Sequence, residues 1–162
     1  MRSILVDTGP LVALFKRRDR HHAPVAKFLR QTPCLLITTW LVATEAWHLL
    51  SAPARLGFVR WIAGGGLAIV ELGPDAPADL LRLLEKYRDR PMDLADASLV
   101  LLAETLGVSD ILTVDRADFD TYRLANKARF NQVLERSNGW RQSRRSELRL
   151  RMKAGSAPRA RP

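Results

Sequence analysis

The sequence predicts an α/β fold: a parallel sheet covered by helices on both faces. Three features lead there. Short runs rich in Ile, Val and Leu recur along the chain with segments of helical length between them, which is the alternation that crossover-connected parallel strands require. The runs are apolar throughout instead of alternating, as strands buried on both faces are. At 162 residues, 47% of them hydrophobic, the chain suits one core, since single domains run to roughly 100–200 residues.

The first strand covers residues 4–6. Gly9-Pro10 then places a proline where a helix does not need its N–H, opening a helix over 10–17. A helix over 24–31 leads into a strand over 35–38, followed by helices over 41–50 and 54–63. Gly64-Gly65-Gly66 ends the latter before a strand over 67–72. Helices over 78–88 and 93–106 follow, the second closed by Gly107 as a C-cap. The run 111–114 is the last clear strand. Beyond Tyr122 the pattern fades, although Leu124, Phe130, Val133, Leu134 and Trp140 offer material for a final strand or helix. Residues 1–138 are read as one domain and 139–162 as a basic, mobile tail, because that stretch lacks the apolar content to fold alone.

Charge is unevenly placed. Residues 1–122 carry 14 Lys and Arg against 15 Asp and Glu, a net −1, while residues 123–162 carry 12 against 2, a net +10. A near-neutral body with a basic end suits a protein that meets phosphates; the other reading of the basic end is a disordered, solubilising tail. No stretch approaches the roughly 18 apolar residues of a membrane span. The apolar run at the amino terminus ends after three residues, too short for a signal peptide. The expected location is the cytoplasm. Cys34, the lone cysteine, permits no intramolecular disulfide and is read as a small core residue.

Four acids occupy unusual places. Asp7 follows the first strand directly, where α/β sheets open their ligand crevice, although Asp7 or Thr8 would also serve as a helix cap. Glu45 lies four residues from both Leu41 and Leu49 and so interrupts the apolar stripe of its helix, where an ionised group needs a partner. Asp93 and Asp96 open the helix after Pro91. Asp93 suits the N-cap, whereas Asp96, with Met92, Leu99, Val100 and Ala103 around it, falls on the buried stripe. Asp115 follows the 111–114 run as Asp7 follows the first strand. Asp118, beside Phe119, reads as a turn cap. Carboxylates gathered in one crevice repel one another unless they share protons or bind cations, and oxygen ligands without His or Cys select Mg²⁺ or Mn²⁺.

Other chemistries find no support. The three glycines are followed by no Lys-Ser/Thr, and no Gly-x-Ser-x-Gly occurs. His21, His22 and His48 lack metal spacing, and Trp40, Trp47 and Trp61 read as core and helix contacts instead of base-stacking platforms.

Together, Val6-Asp7-Thr8-Gly9-Pro10-Leu11-Val12-Ala13-Leu14, Trp40-Leu41-Val42-Ala43-Thr44-Glu45, Met92-Asp93-Leu94-Ala95-Asp96-Ala97-Ser98-Leu99 and Leu112-Thr113-Val114-Asp115-Arg116-Ala117-Asp118-Phe119 resemble the PIN-domain nucleases, and in particular the VapC-like toxins of type II toxin–antitoxin modules. The resemblance spans residues 4 to about 124. It implies about five parallel strands, an acidic quartet of Asp7, Glu45, Asp96 and Asp115 around the metal, and support from the hydroxyls of Thr8 and Thr113. It also implies endoribonuclease activity, dimerisation, and neutralisation by a cognate antitoxin.

The expected function is therefore a Mg²⁺- or Mn²⁺-dependent endoribonuclease, the toxin of a type II toxin–antitoxin pair, in which a metal-activated water attacks phosphorus and no covalent enzyme intermediate is needed. Asp7 and Asp96 would bind the ion directly, with Glu45 and Asp115 completing the site directly or through waters. Thr8, Asp93, Thr113 and Asp118 would support it. Two other readings are an aspartate-nucleophile phosphatase, which wants a second Asp where this chain has Gly9, and a non-catalytic RNA-binding protein with a PIN-like fold, which would be marked by a missing acid.

Overall fold

The computed structural model describes residues 1–90 and 92–134. The expected boundary at residue 138 and the basic tail lie outside the described residues. Among the described residues, five strands form one sheet in the order β3-β2-β1-β4-β5, with every neighbouring pair parallel. They are β1 (Arg2–Val6), β2 (Cys34–Thr38), β3 (Ala68–Ile69), β4 (Asp110–Leu112) and β5 (Asn131–Gln132). Seven helices flank it among the described residues: α1 (Thr8–Phe15), α2 (His22–Gln31), α3 (Trp40–Leu49), α4 (Ala52–Ala63), α5 (Ala76–Lys86), α6 (Leu94–Leu106) and α7 (Arg116–Thr121). No described helix is long and apolar enough to cross a membrane.

The strand order positions everything that follows. From β1 the chain winds outward through β2 to β3, then returns to lay β4 on the other side of β1 and β5 beyond it. The two halves diverge between β1 and β4, and a crevice opens there at the carboxyl ends of the strands. Leu5 pairs with Ile111 and Val6 with Leu112, so both strands end at the same level. The Asp7 amide continues the ladder by donating to the Leu112 carbonyl, 3.1 Å away.

The core follows the apolar runs. Ile4, Leu5, Val6, Leu36, Ile37, Ile111 and Leu112 are buried in the sheet. Helix α6 is buried continuously from Ala95 to Ala103, because it packs on both α3 and α5, and a helix enclosed on several sides is apolar nearly all round. Its polar Ser98 is satisfied there: the hydroxyl lies 2.6 Å from the Ala95 carbonyl and 2.7 Å from the Thr39 hydroxyl. The pair ties the start of α3 to the first turns of α6. Gly107 closes α6 in the left-handed conformation, φ 63°, as its C-cap position requires.

Several boundaries differ from the sequence reading for one reason. Helices α1 and α2 start two residues before the expected 10 and 24, and α4 and α5 start two before 54 and 78. In each, the proline occupies the second or third helical position, since none of the first-turn amides has an intrahelical partner to lose. Helix α7 was not foreseen, being only six residues long. Beyond Tyr122, the described residues add β5, a two-residue edge strand between Phe130 and Val133, and Trp140 lies outside them.

The tryptophans divide. Trp61 packs against Phe15 and Phe58, with ring centroids 5.6 and 6.5 Å away. Trp40 and Trp47, expected as core and helix contacts, are instead 55% and 37% exposed, because the α3 face that carries them turns away from α1 and α6. Arg55 covers the Trp47 ring at 5.5 Å. Cys34 is half-buried at the start of β2 and not enclosed in the core.

Candidate active site

Asp7 stands at the carboxyl end of β1, at the point where the sheet diverges, and its side chain is buried. It is also the N-cap of α1: Oδ1 accepts from the Thr8 amide at 2.6 Å. Oδ2 accepts from the Thr113 hydroxyl at 2.8 Å, so the ends of β1 and β4 are joined through this carboxylate. The cap and the crevice acid are one residue.

Thr113 also explains why β4 stops at Leu112 and not at Val114. Its hydroxyl oxygen accepts from the Asp115 amide at 3.0 Å, a side-chain-to-backbone bond that replaces the ladder with a turn. Asp115 therefore lies past a turn, exposed, as the residue before α7, and its side chain makes no capping bond. Glu45 is half-buried on α3. The partner its position demands is Thr8, whose hydroxyl donates to Oε2 at 2.5 Å.

On α6, Asp93 is the exposed N-cap, with Oδ1 accepting from the Asp96 amide at 2.7 Å. Asp96 is buried, as the apolar spacing around it requires, and Oδ2 accepts from the Tyr122 hydroxyl at 2.9 Å. Tyr122 had no signal in the sequence. It lies 26 residues from Asp96, and its ring is held edge-on by Tyr87 and Phe119.

Charge coupling links several of these acids. Burial, the largest cause, pushes the Asp7 carboxyl up to about 6. The Thr113 hydroxyl and Thr8 amide oppose the shift, and the charges of Glu45 and Asp93 add to it. Asp96 is pushed up to about 8, first by burial, then by Asp7 and Asp93. The Tyr122 hydroxyl pulls it down, and Asp118 adds a smaller push. Burial and the nearby Asp96 hold the Tyr122 phenol protonated. Asp118 is raised by burial, Asp115 and Asp93, with Arg90 opposing. Glu45 and Asp93 thus act on Asp7; Asp7, Asp93 and Asp118 act on Asp96; and Asp115 acts on Asp118.

A hard divalent cation fits this donor set. The donors are all oxygen, and two carboxylates are buried where their ionisation is opposed by other acids. Among the described residues no three acids stand close enough to form a direct cage. Mg²⁺ suits such a site, because it keeps several waters and takes one or two carboxylates directly.

Gly9 matters at the same crevice. A Cβ at this position would overlap the Cγ2 methyl of Val114, so neither the second aspartate of a phosphatase nor any other side chain has room. Gly9→Ala should cost about 1–3 kcal/mol, because a β-branched neighbour cannot swing aside. Chemical denaturation checks this, and an unchanged midpoint would mean that α1 shifts freely.

The model of the PIN domain family matches residues 4–125. Ribonuclease VapC26 of Mycobacterium tuberculosis (strain ATCC 25618 / H37Rv) is 28% identical over 134 residues, 80% of this chain and 99% of that protein. Among solved structures, VapC20 of Mycobacterium tuberculosis, described as a Sarcin-Ricin loop cleaving toxin, matches with a TM-score of 0.64 at 19% identity. The match covers 69% of this chain and 89% of that one, and it speaks to the fold. The chain belongs to the PIN domain family. Within that family it is similar to the VapC ribonucleases.

Proposed function

We propose that this protein is a Mg²⁺- or Mn²⁺-dependent endoribonuclease, the toxin of a type II toxin–antitoxin pair, acting in the cytoplasm. The observation that carries the reading is the presence of two buried carboxyls, Asp7 at the end of β1 and Asp96 in the first turn of α6, with the charge of Asp7 opposing the ionisation of Asp96. Such a pair is costly unless a cation is its partner. The similarity to VapC26, a ribonuclease by name, supports RNA as substrate.

In this reading Asp7 and Asp96 hold the ion. Glu45, Asp93, Asp115 and Asp118 complete its surroundings directly or through waters. Thr113 and Tyr122 fix the oxygens of Asp7 and Asp96 that they donate to, leaving the remaining lone pairs for the ion. Thr8 orients Glu45 in the same way. When bound, the cation would supply an activated water and offset charge developing on the phosphate. A cognate antitoxin would cover the acidic crevice, and the protein would pair as a homodimer.

The test is cleavage of single-stranded RNA by the full chain with Mg²⁺ or Mn²⁺, compared with Asp7→Asn. The variant keeps the α1 cap and loses a ligand charge, so it should stay folded and lose roughly a thousandfold in rate. Full activity in Asp7→Asn would remove this residue from the site, and a wild type inert towards RNA would overturn the reading.

A further inference from the structure

Beside the acidic crevice lies a cavity of about 300 Å³, lined by Arg90, Ala117, Asp118, Thr121 and Tyr122. Two of its walls belong to the crevice itself. Tyr122 bonds Asp96 through its hydroxyl, and Asp118 acts on Asp96 through its charge. The cavity and the acids are therefore adjoining chambers.

Arg90 supplies the cation of this second chamber. It sits between α5 and α6, with its amide donating to the Tyr87 carbonyl at 2.9 Å. Tyr87 in turn accepts at its hydroxyl from the Arg123 amide, also at 2.9 Å, so the segment carrying Arg90 is fastened to the chain that follows α7. At the far end of the side chain, Nη1 donates to the Thr121 hydroxyl at 2.8 Å. That hydroxyl spends its own proton on the Ala117 carbonyl at 2.9 Å, which leaves its oxygen to aim the guanidinium. Thr121 is thus a positioning residue. Among the described residues no carboxylate closes an ion pair on Arg90, and the guanidinium has further donors free for a planar oxygen pair.

Resting on the reading of the crevice as an RNA-cleaving site, we infer that this cavity seats the backbone phosphate next to the scissile one, with Arg90 as its clamp. The arrangement explains why a site so rich in acids accepts a polyanion: the cleaved linkage faces the acid pair, while its neighbour meets a fixed positive charge. Arg90 is the right group for that task, since its fork matches two phosphate oxygens at once. Ala117 leaves the wall low beside it. Asp118 lines the same cavity and its charge is favoured by that of Arg90, so a phosphate there competes with Asp118 for the guanidinium and is repelled from the Asp118 carboxylate towards Arg90.

A charge-removal cycle tests this with the full chain. The cleaved bond is first mapped in a short oligoribonucleotide. A neutral methylphosphonate on 2′-O-methyl ribose is then stepped through the linkages on either side, with the same 2′-O-methyl oligonucleotides carrying ordinary phosphates as controls. In the wild type, one linkage adjacent to the cleaved bond should lower kcat/KM about tenfold or more. Arg90→Ala should show the same loss on the ordinary oligonucleotide and no further loss when that linkage is neutralised. Its slope of log(kcat/KM) against log salt should be shallower by about 0.7. Arg90→Lys should recover part of the loss. Arg90 is exposed, and an unchanged melting temperature in Arg90→Ala would show that the fold is intact. Losses that multiply at every linkage, or an Arg90→Ala that cleaves like the wild type, overturn the inference while leaving the nuclease reading in place. A wild type that cleaves no RNA overturns both.

Discussion

Asp96→Asn should abolish RNA cleavage and at the same time raise the melting temperature of the metal-free protein. The two effects have one cause. In the fold this carboxyl is pushed up to about 8 from a usual 3.8, by burial and by Asp7 and Asp93. The native state therefore binds the Asp96 proton more tightly than the unfolded chain does. Stability contributed by the protonated form is complete below about pH 4 and is lost as pH rises towards 8. Asparagine cannot ionise, and its side-chain oxygen still accepts from Tyr122. The variant should gain about 2–4 kcal/mol over wild type at pH 8.5, after allowance for relaxation and water entry, and nothing near pH 4. That corresponds to roughly 5–15 °C in melting temperature. Thermal melts in EDTA at the two pH values measure the first effect and RNA cleavage with Mg²⁺ the second. A variant destabilised at pH 8.5, or one that still cleaves RNA, would remove Asp96 from the centre of the site.

Removing divalent metal should stop cleavage completely, and Mg²⁺ or Mn²⁺ should restore it, because four carboxylates supply no nucleophile at neutral pH. Binding should also stabilise the fold, by about 2.7 kcal/mol at a hundredfold excess over the dissociation constant. The pH dependence is the sharper readout. A cation must displace the protons that Asp7 holds to about 6 and Asp96 to about 8, so affinity should fall steeply on acidification. Titrating Mn²⁺ to millimolar levels should raise the melting temperature strongly at pH 8 and hardly at all at pH 5. EDTA-resistant cleavage, together with a melting temperature indifferent to Mn²⁺ at pH 8, would take the metal out of the mechanism.

Much of the fold was legible because it is written locally. Apolar runs marked four strands, Gly107 marked the end of α6, and the apolar positions around Asp96 marked it as buried, since helical spacing decides which face of a segment leaves water. Asp7 at a strand end and Asp93 as an N-cap follow from the same kind of short-range pattern. The contacts that turn these acids into a candidate site are not local. Thr113 reaches Asp7 across 106 residues, Thr8 reaches Glu45 across 37, and Tyr122 reaches Asp96 across 26. None has a period or a spacing to betray it: Thr8 meets Glu45 because β1 and β2 lie side by side and α1 packs on α3, and the other two contacts depend on β4 returning to lie beside β1. The same return sets the turn at Thr113 that leaves Asp115 exposed while Asp118 acts on Asp96, and it brings Arg90 opposite Thr121. Sequence by itself determined the burial of Asp7 and Asp96 and the capping by Asp93, where strand ends and helical spacing were clear, but not the exposure of Trp40 and Trp47. Tertiary packing decided those and which side chains would meet, since a local pattern specifies a face and only packing specifies its partner.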